Sequence, residues 1–475
     1  MFEPVIGLEV HIQLNTKSKL FSGAGTSFGQ SPNSQACAVD LALPGVLPVL
    51  NKEAVYQAIK FGLAINASIN KTNIFARKNY FYPDLPKGYQ ISQYDYPIVY
   101  DGELSFDVNG IEKKVHIVRA HLEEDAGKSI HDLLNDQSAI DLNRAGCPLL
   151  EIVTAPELYS ADEVIAYLKT LHQLVRHLDI CDGNMQEGSF RVDVNVSLKP
   201  KGSSVLGTRC EIKNINSFKF IEKALEYEME RQAMLLQTGQ SVIQQTRLFQ
   251  ESTGKTIPMR DKEDAQDYRY FPCPDLNSVK ISQELIDSIK SSLPKLPKEL
   301  LGELTQELGL SSYDALILID NPAMLHLLKE ALQLQKHPSP KLLANWLLSD
   351  ISGYANKHHL DFSSLALKPV DLALLIDRIV DKTLSSKTAK QVCAFLLEGN
   401  EGVDLIIEQH GLKQVTDLGA LSKAVEETLA QYPDQRAELK SGKDRLIGFF
   451  VGQVMKKMQG TGNPEDIQKL ILERC

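Results

Sequence analysis

The chain has 475 residues, of which 43% are hydrophobic and 24% are charged. This length favours two to four globular domains with a sizeable core. The net charge of −10 excludes a protein that coats nucleic acid with its whole surface, so any contact with RNA needs a local basic patch. The sequence has no run of about 18 apolar residues and no signal-peptide pattern at its start. We therefore expect a cytoplasmic protein without a membrane span.

The seven cysteines are scattered along the chain, and none forms a Cys-x-x-Cys pair. Such spacing is typical of reduced thiols with structural roles in a cytosolic protein. The sequence therefore predicts no zinc cluster.

The first predicted strand, residues 3–14, alternates apolar and polar side chains with unusual regularity. In an extended chain, Leu8 and Val10 would face a core, while Glu9 and His11 would share the other face. A carboxylate and an imidazole placed in this way can bind a divalent cation. A solvated strand face explains the same pattern.

Residues 76–90 combine basic and aromatic side chains with two prolines and a glycine, which predicts a shaped loop. Lys78 and Lys87 suit phosphate oxygens, and the tyrosines of this loop could stack on a base. Residues 268–272 have the same character. The alternative is a tyrosine-rich loop that packs on the core and leaves its basic groups in solvent.

Residues 115–125 alternate like the first strand and end in three consecutive carboxylates, Glu123, Glu124 and Asp125. Adjacent acids repel one another unless a cation or basic groups offset their charge. This segment is therefore a second candidate for a cation site, with a solvated acidic turn as the alternative.

Gly127, Lys128 and Ser129 resemble the end of a phosphate-binding P-loop, but the first glycine of that motif is absent because position 122 is leucine. The segment also follows a predicted antiparallel strand and does not lead into a helix. We therefore expect any nucleotide to bind without a Walker A loop.

Residues 191–198 show the clearest alternation, and Arg191 and Asp193 lie on the polar face of this predicted strand. Residues 210–214 form another predicted strand, whose polar face carries Glu211 and Lys213. If these strands are neighbours, one face of the sheet carries an acidic set with two basic groups. The set comprises Glu9, His11, Glu123, Asp193, Glu211, Arg191 and Lys213. Strand order cannot be read from the sequence, so adjacency is an assumption.

The overall pattern predicts an α+β protein. Residues 1–292 read as a domain on an antiparallel sheet, with helices near 52–65, at 161–178 and after Ser217. A proline-rich boundary at 292–297 leads into an all-α domain, 293–400, and a plausible hinge at 398–402 leads into a small helical tail, 401–475.

The tail carries five basic residues among apolar ones, an arrangement that suits contact with a phosphate backbone. They are Lys440, Lys443, Arg445, Lys456 and Lys457. Solvated lysines on a helix explain the same pattern.

Eight ordered motifs give the chain a family resemblance along nearly its whole length. They read VIGLEVHIQL, LALPGVLPVLN, RKNYFYPDLPKGYQISQ, HLEEDAGKS, NRAGCPLLEIVT, MQEGSFRVDVNVSL, EIKNINSF and DYRYFP. Together they resemble the B subunits of the bacterial aspartyl/glutamyl-tRNA amidotransferase family.

The resemblance implies an ATP- and magnesium-dependent enzyme component that works in a heterotrimer with an amidase, the A subunit, and with a small C subunit. Ammonia released by the amidase reaches the B subunit, which activates the side-chain carboxylate of misacylated Glu-tRNA(Gln) or Asp-tRNA(Asn) as an acyl phosphate and converts it to the amide. It also implies a cradle-like first domain, a helical domain and a tail that grips tRNA.

Carried onto matching positions, the resemblance implies three sets of site residues in the first domain. The metal candidates are Glu9, His11 and Glu124. The catalytic candidates are Glu123, Asp193 and Glu211. The candidates for ATP or acyl-phosphate oxygens are Lys78, Lys87 and Arg191.

Two positions depart from the family pattern. Some family members have a Cys-x-x-Cys pair at positions 37–40, whereas this chain has Cys37 and Asp40, which again predicts no zinc. Cys273 stands where an acidic residue is usual, which leaves the role of that loop in doubt.

Two other classes of protein remain open. One is a non-catalytic tRNA-binding or assembly factor, in which the acidic face holds only a structural cation. The other is a Mg²⁺-dependent hydrolase that acts alone on phosphate esters, although the sequence shows no nucleophile or complete acid/base pair for it.

Overall fold

The computed structural model describes residues 2–134, 137–261, 267–399, 402–414, 418–458 and 460–474. The chain forms two compact units, residues 1–297 and 298–475. Each unit is described by itself below. The predicted domain limits after residues 292 and 400 stay predictions, and residues 400–401 of the predicted hinge lie outside the described part.

The first unit is built from sixteen described strands and four helices. The strands are β1 (Phe2–Gln13), β2 (Ser68–Ile69), β3 (Thr72–Asn73), β4 (Phe75–Asn79), β5 (Tyr89–Gln93), β6 (Val99–Val108), β7 (Ile111–Glu124), β8 (Lys128–Leu134), β9 (Gln137–Asp141), β10 (Pro148–Thr154), β11 (Phe190–Pro200), β12 (Cys210–Lys213), β13 (Gln245–Gln250), β14 (Lys255–Asp261), β15 (Phe271–Pro272) and β16 (Val279–Lys280). The helices are α1 (Lys52–Ala64), α2 (Ala161–His177), α3 (Phe218–Gln237) and α4 (Gln283–Ser291).

Twelve of these strands form one sheet with the order β14-β13-β12-β11-β1-β10-β7-β5-β4-β15, and β6 joins it by pairing with β7 and β2. Only β12 and β13 pair in parallel; the other described pairs are antiparallel. The predicted α+β class with an antiparallel sheet is confirmed. β1 lies between β10 and β11, so its side chains sit near the middle of the sheet.

The alternation of β1 decides which face of the sheet is covered. Leu8, Val10 and Ile12 are at most 1% exposed and belong to the core that also contains the apolar faces of α1, α2 and α3. The three helices begin where predicted, and α2 and α3 have serine N-caps, Ser160 and Ser217, whose side chains accept a backbone N–H. Helices thus cover one face, and the polar side chains of β1 are left on the other.

A buried ion pair holds the long loop after β1. The Lys19 ammonium is fully buried, 3.2 Å from Asp40 Oδ2 and 3.1 Å from the carbonyl oxygen of Leu142. Asp40 also accepts hydrogen bonds from the hydroxyl of Ser22 and the backbone N–H of Cys37. Both charges are therefore satisfied inside the protein, as burial requires.

A second buried network joins α3 to the β13–β14 hairpin. The Glu228 carboxylate is fully buried and accepts hydrogen bonds from Arg231, Gln232 and the hydroxyl of Thr256. Arg247 lies 3.1 Å from it and also donates to Thr256. The hairpin next to β12 is thereby fixed to the helical layer.

Every regular element that the structure describes in the second unit is helical, as predicted. Its α-helices are α5 (Pro297–Gly302, which begins at the last residue of the first unit), α6 (Ser312–Asp320), α7 (Pro322–Leu334), α8 (Pro340–Trp346), α9 (Ser352–His358), α10 (Pro369–Val380), α11 (Ser386–Leu397), α12 (Val403–His410), α13 (Leu418–Gln431), α14 (Pro433–Lys440), α15 (Leu446–Lys457) and α16 (Pro464–Arg474). Two π-helical turns, Glu303–Glu307 and Leu347–Ile351, and a 3₁₀ turn, Phe362–Ser364, lie between them.

The apolar residues of this unit form two clusters. One runs from Leu300 to Leu412 and the other from Leu421 to Ile471. Among the described residues, no helix is long and apolar enough to cross a membrane. The six cysteines that the structure describes are free thiols.

Candidate active site

Strand pairing brings the predicted polar residues onto one face of the sheet. Glu9 lies opposite Asp193, and His11 lies opposite Arg191 on one side and Glu151 on the other. Across the next pairs, Asn195 faces Glu211, Leu149 faces Glu123, and Glu151 faces His121. The adjacency assumed from the sequence therefore holds for β1, β11 and β12, whereas β10 separates β1 from β7.

The first cluster on this face consists of His11, Glu123 and Glu151, with His121 beside it. His11 Nε2 lies 3.5 Å from Glu123 Oε1 and 3.3 Å from Glu151 Oε2. His121 Nε2 lies 3.1 Å from Glu151 Oε2 and 3.6 Å from Glu123 Oε2. Each of His11, Glu123 and Glu151 offers a ligand atom within 4.8 Å of the others, so this set could hold a cation.

The electrostatics of the first cluster are dominated by burial and by its two carboxylates. Burial alone would lower the pKa of His121, but Glu151 and Glu123 outweigh it and raise that pKa to about 9. The pKa of His11 is raised by the same two acids against the effect of burial. The Glu151 carboxyl keeps a pKa well below its ordinary value, because the two imidazoles outweigh its burial.

The second cluster consists of Glu9, Asp193 and Glu211, whose carboxylate oxygens lie within 4.8 Å of one another. Lys213 Nζ lies 2.6 Å from Asp193 Oδ2 and 3.2 Å from Glu211 Oε1. Asn195 donates to Glu9 Oε1 at 3.1 Å. Three carboxylates thus share one lysine, which leaves an excess of negative charge.

The pKa values of Glu9 and Lys213 are both shifted by the excess negative charge of the second cluster. Burial, followed by repulsion from Glu151, Glu211 and Asp193, raises the pKa of Glu9 above its ordinary value. The pKa of Lys213 is raised as well, because Asp193 and Glu211 outweigh its burial. A divalent cation beside Glu9 would relieve this repulsion, and an all-oxygen set is the kind that Mg²⁺ prefers.

Glu124 is held away from both clusters by its neighbours. It forms an ion pair with Lys87, and its Oε1 accepts the backbone N–H of Ile91 at 2.8 Å. Among the described residues, the structure does not bring Glu124 into either set of potential ligands. Its predicted metal role and the phosphate-binding role of Lys87 stay predictions.

Arg191 is engaged with a carboxylate of the neighbouring acidic run. Its guanidinium donates to both oxygens of Asp125, at 2.9 and 3.3 Å, and Arg144 approaches the same carboxylate at 3.5 Å. Such a paired donor geometry fixes the guanidinium firmly. Arg191 still lies opposite His11, so it contributes positive charge to the first cluster.

Aromatic residues lie next to the first cluster. Burial, followed by the negative charge of Glu123, raises the pKa values of Tyr80 and Tyr270. Tyr270 stacks on Tyr94 with ring centroids 4.2 Å apart. Lys78 Nζ lies 4.8 Å from the Tyr268 ring. The predicted basic and aromatic loops therefore meet beside the acidic face.

The five basic residues of the tail are all exposed. Lys443 pairs with Glu438, and Lys457 pairs with Glu427. Lys440 ends α14, Lys443 and Arg445 lie in the α14–α15 connection, and Lys456 and Lys457 lie in the last turn of α15. The set is therefore divided between the two ends of α15. Its role in tRNA binding stays a prediction.

Sequence reasoning missed Glu151 and the contacts of His121. Glu151 is the one charged residue in the apolar run 148–154, and a lone acid in a central strand was a usable signal. His121 lies in the alternating segment 115–125, two residues before Glu123, but received no role. Both residues contact the first cluster only because β10 lies between β1 and β7, which the sequence does not disclose.

The fold and the two clusters define a known class of protein. A family model described as the GatB/GatE catalytic domain matches residues 4–287, and one described as the GatB domain matches residues 327–475. The chain therefore belongs to the GatB/GatE family.

Its relatives make the assignment more specific. The chain is 52% identical over 474 residues to the B subunit of the aspartyl/glutamyl-tRNA(Asn/Gln) amidotransferase of Nitrosococcus oceani, covering 100% of this chain and 99% of the relative. The protein of the same name from Legionella pneumophila is 53% identical over 471 residues, covering 99% and 98%. The predicted family is confirmed, and the chain is one component of an amidotransferase enzyme.

Proposed function

We propose that this protein uses ATP to activate the side-chain carboxylate of Glu-tRNA(Gln) or Asp-tRNA(Asn) and then converts it to the amide. The observation that carries the proposal is the pair of clusters, His11–Glu123–Glu151 and Glu9–Asp193–Glu211, on one face of the sheet. A carboxylate is a poor acyl donor because its oxygen is a poor leaving group. Phosphorylation removes that obstacle.

The reaction balances in two steps. A carboxylate oxygen of the aminoacyl group attacks the γ-phosphorus of ATP, and ADP leaves. Ammonia then attacks the carbonyl carbon of the acyl phosphate, and inorganic phosphate leaves. We propose that ammonia comes from glutamine through an amidase, the A subunit of a complex that also contains a small C subunit.

The residues present fit a divalent cation. Glu9, Asp193 and Glu211 provide only oxygen donors and suit Mg²⁺, whereas His11 makes the other cluster a mixed nitrogen and oxygen set. A bound cation supplies neutralisation of phosphate charge next to the acceptor carboxylate. Lys213 already balances part of the second cluster, and Asn195 orients Glu9 toward it.

The chain's other residues hold and orient the substrates. In this proposal Lys78, which lies beside the tyrosines, attracts phosphate or acyl-phosphate oxygens, and Arg191, held by Asp125, adds positive charge. Phosphoryl transfer depends mainly on such positioning and electrostatics. The exposed basic residues of the tail would bind the tRNA backbone.

The test is an amidation assay with the assembled complex. Misacylated Glu-tRNA, glutamine and Mg²⁺ are supplied with and without ATP, and Gln-tRNA is measured. ATP-dependent product is expected. Tight tRNA binding without ATP-dependent product would contradict the proposal and favour a non-catalytic tRNA-binding factor. Activity of the isolated chain on phosphate esters would favour a hydrolase.

A further inference from the structure

Five tyrosines form a row at the end of the sheet that comprises β5, β4 and β15. Tyr94 follows the end of β5, Tyr80 and Tyr82 follow the end of β4, and Tyr268 and Tyr270 precede β15. The ring centroids lie 6.0 Å apart for Tyr82–Tyr80, 6.3 Å for Tyr80–Tyr268, 6.1 Å for Tyr268–Tyr270 and 4.2 Å for Tyr270–Tyr94. Aromatic rings at such distances are in contact. Segments far apart in the sequence thus form one continuous aromatic surface, the tyrosine row.

Asn79 fixes the loop that carries two members of the tyrosine row. Its side-chain amide donates to the carbonyl oxygens of Tyr268 and Arg269, at 3.1 and 2.8 Å, and its backbone N–H donates to Tyr268 at 3.0 Å. Arg269 has a φ of 47°, in the left-handed region that a residue with a side chain seldom adopts. The hydrogen bonds from Asn79 hold this conformation. The rings are therefore placed before a ligand arrives, which lowers the entropic cost of binding.

Strand pairing connects the tyrosine row to the first cluster. Ser92 of β5 lies opposite Glu123 of β7, and its hydroxyl donates to Glu123 Oε2 at 3.4 Å. Tyr94 is two residues after Ser92, so their Cα atoms are at most about 7 Å apart. A molecule that lies on the row at Tyr94 can therefore extend to a carboxylate of the candidate active site.

The exposure and charge of the tyrosine row suit an unpaired strand of nucleic acid. Tyr82 and Tyr94, at its two ends, are 59% and 56% exposed, so both rings are open to further stacking. Lys78 Nζ lies 4.8 Å from the ring centroid of Tyr268 and 5.9 Å from that of Tyr80. An ammonium thus lies within the row, where it can attract a phosphate between two bases. Proteins hold single strands with this combination of aromatic rings for the bases and basic groups for the backbone.

The unpaired 3′ end of an aminoacyl-tRNA matches this surface better than ATP does. A single adenine needs one ring, whereas the row offers several rings in succession. The aminoacyl group is esterified to the terminal ribose, so the last base must lie close to the place where the side-chain carboxylate reacts. Tyr94 meets that condition through Ser92 and Glu123. Its ring stacks on Tyr270 with an angle of 8° between the planes, and a further base can extend such a parallel stack.

We propose that the tyrosine row binds the unpaired 3′ end of aminoacyl-tRNA, with the terminal adenine stacked on Tyr94 and the phosphates beside Lys78. The inference rests on the proposed function, which requires the terminal adenosine to lie near the first cluster. The unpaired end is the same in every tRNA, so one row serves both Glu-tRNA(Gln) and Asp-tRNA(Asn).

The test removes one ring from the protein and one base from the tRNA, separately and together. Tyr94→Leu keeps an apolar side chain but has no ring on which a base can stack. We expect the assembled complex with Tyr94→Leu to bind intact tRNA(Gln) at least fivefold more weakly in filter binding. A tRNA(Gln) without its terminal adenosine should bind the unaltered and variant complexes within twofold of each other. The dissociation constant of Mg·AMPPNP should change less than twofold.

Three further variants complete the experiment. Tyr94→Phe keeps the ring and should retain the affinity for intact tRNA. Tyr159→Leu is the matched control, because Tyr159 is 49% exposed and lies directly before Ser160, the N-cap of α2. It should change the affinity less than twofold. If Tyr94→Leu does not fold by circular dichroism, Tyr270→Leu takes its place in the same comparisons.

Three results would overturn the proposal. Unchanged affinity for intact tRNA would mean that the ring at position 94 holds no base. An equal loss for intact and truncated tRNA would mean that it does not contact the terminal adenine. Weaker AMPPNP binding with unchanged tRNA binding would assign the row to ATP. Amidation by the unaltered complex is measured separately, so none of these results rejects the proposed function.

Discussion

At the scale of single residues, Glu9 is the side chain on which most of the site depends. Its carboxylate lies in the second cluster with Asp193 and Glu211, and it is repelled by Glu151 of the first cluster. It also lines a cavity together with Gly7. Its raised pKa shows that burial and its acidic neighbours oppose its charge. A cation placed here removes that opposition, so Glu9 should matter more for chemistry than for folding.

Glu9→Gln should therefore lower ATP-dependent amidation at least about 100-fold, because one anionic donor is lost from an oxygen-only cation site. Binding of tRNA should change less than twofold, and the melting temperature should not fall. Amidation rates and tRNA affinity of the assembled complex check this. Glu103→Gln, an exposed carboxylate on β6 paired with Lys114, is the control and should leave activity unchanged. Full activity of Glu9→Gln would remove Glu9 from the metal site.

The site residues that could be predicted from the sequence are those that lie in a strand with alternating apolar and polar side chains. Alternation along single strands placed Glu9, His11, Asp193 and Glu211 on polar faces, and the structure brings all four to one face of the sheet. Glu124 was assigned by motif alone, and its ion pair with Lys87 could not be foreseen because the two residues are 37 positions apart. Contacts between distant segments follow from strand order, which periodicity does not encode.

At the scale of elements, the buried Glu228 connects α3 to the β13–β14 hairpin. The hairpin pairs with β12, and Thr246 of β13 donates to Glu211 Oε2 at 2.9 Å. The network therefore supports the strand that carries Glu211. Removing one partner of a buried, hydrogen-bonded charge costs about 3–5 kcal/mol, because the other charges are left unpaired.

Glu228→Gln should accordingly lower the unfolding free energy of the first unit at pH 7 by about 3 kcal/mol. Burial raises the pKa of Glu228, but its partners outweigh that effect and hold it below 4.5. Its contribution is thus fully present above pH 4.5 and is lost as the pH falls through the lowered value. Denaturant unfolding from pH 7 to pH 3 should show a shallower decline in the variant.

The control for this prediction is Glu230→Gln, an exposed carboxylate on the same helix. It should change the unfolding free energy by less than about 0.5 kcal/mol. Equal pH dependence in Glu228→Gln and the unaltered chain would contradict the stabilising role of Glu228.

The helices were easier to predict than the sheet. The 3.6-residue period located α1 and α2 within a residue or two of their observed ends, and α3 begins directly after Ser217, as predicted. β10 was not predicted as a strand, because its sequence Pro148–Thr154 is almost wholly apolar. The segment was recognised only as part of a family motif. A strand buried on both sides lacks the alternation that identifies a half-exposed strand.

At the scale of the whole molecule, the chain divides into two compact units with separate apolar cores. A fragment of residues 1–297 should therefore melt cooperatively by itself. If the ATP proposal holds, the fragment should bind Mg·AMPPNP with an affinity within threefold of the full chain, while its affinity for tRNA should fall at least tenfold. Calorimetry and filter binding measure these quantities. Failure of the fragment to fold would show that the first unit needs the second.

The tail's basic residues provide a test of RNA contact. Replacing Lys440, Arg445 and Lys456 by alanine should weaken tRNA binding, and the slope of log affinity against log salt should fall by about 1 for each phosphate contact removed. Filter binding at several salt concentrations measures both. Alanine at Lys336, Lys341 and Lys357, all exposed in the same unit, is the matched control. Equal effects from the two triple variants would mean that net charge alone, and no specific surface, attracts tRNA.

The Lys19–Asp40 pair has a consequence for handling the protein and for the conditions it tolerates. An ammonium and a carboxylate, both covalently part of the chain, hold the loop after β1. We therefore expect its order to depend on neither a dissolved metal ion nor the redox state of a sulfur atom. Chelator or mild oxidant during purification should leave the melting temperature unchanged, whereas Asp40→Asn should lower it by several degrees. A melting temperature that falls in chelator would instead show that this loop holds a metal ion.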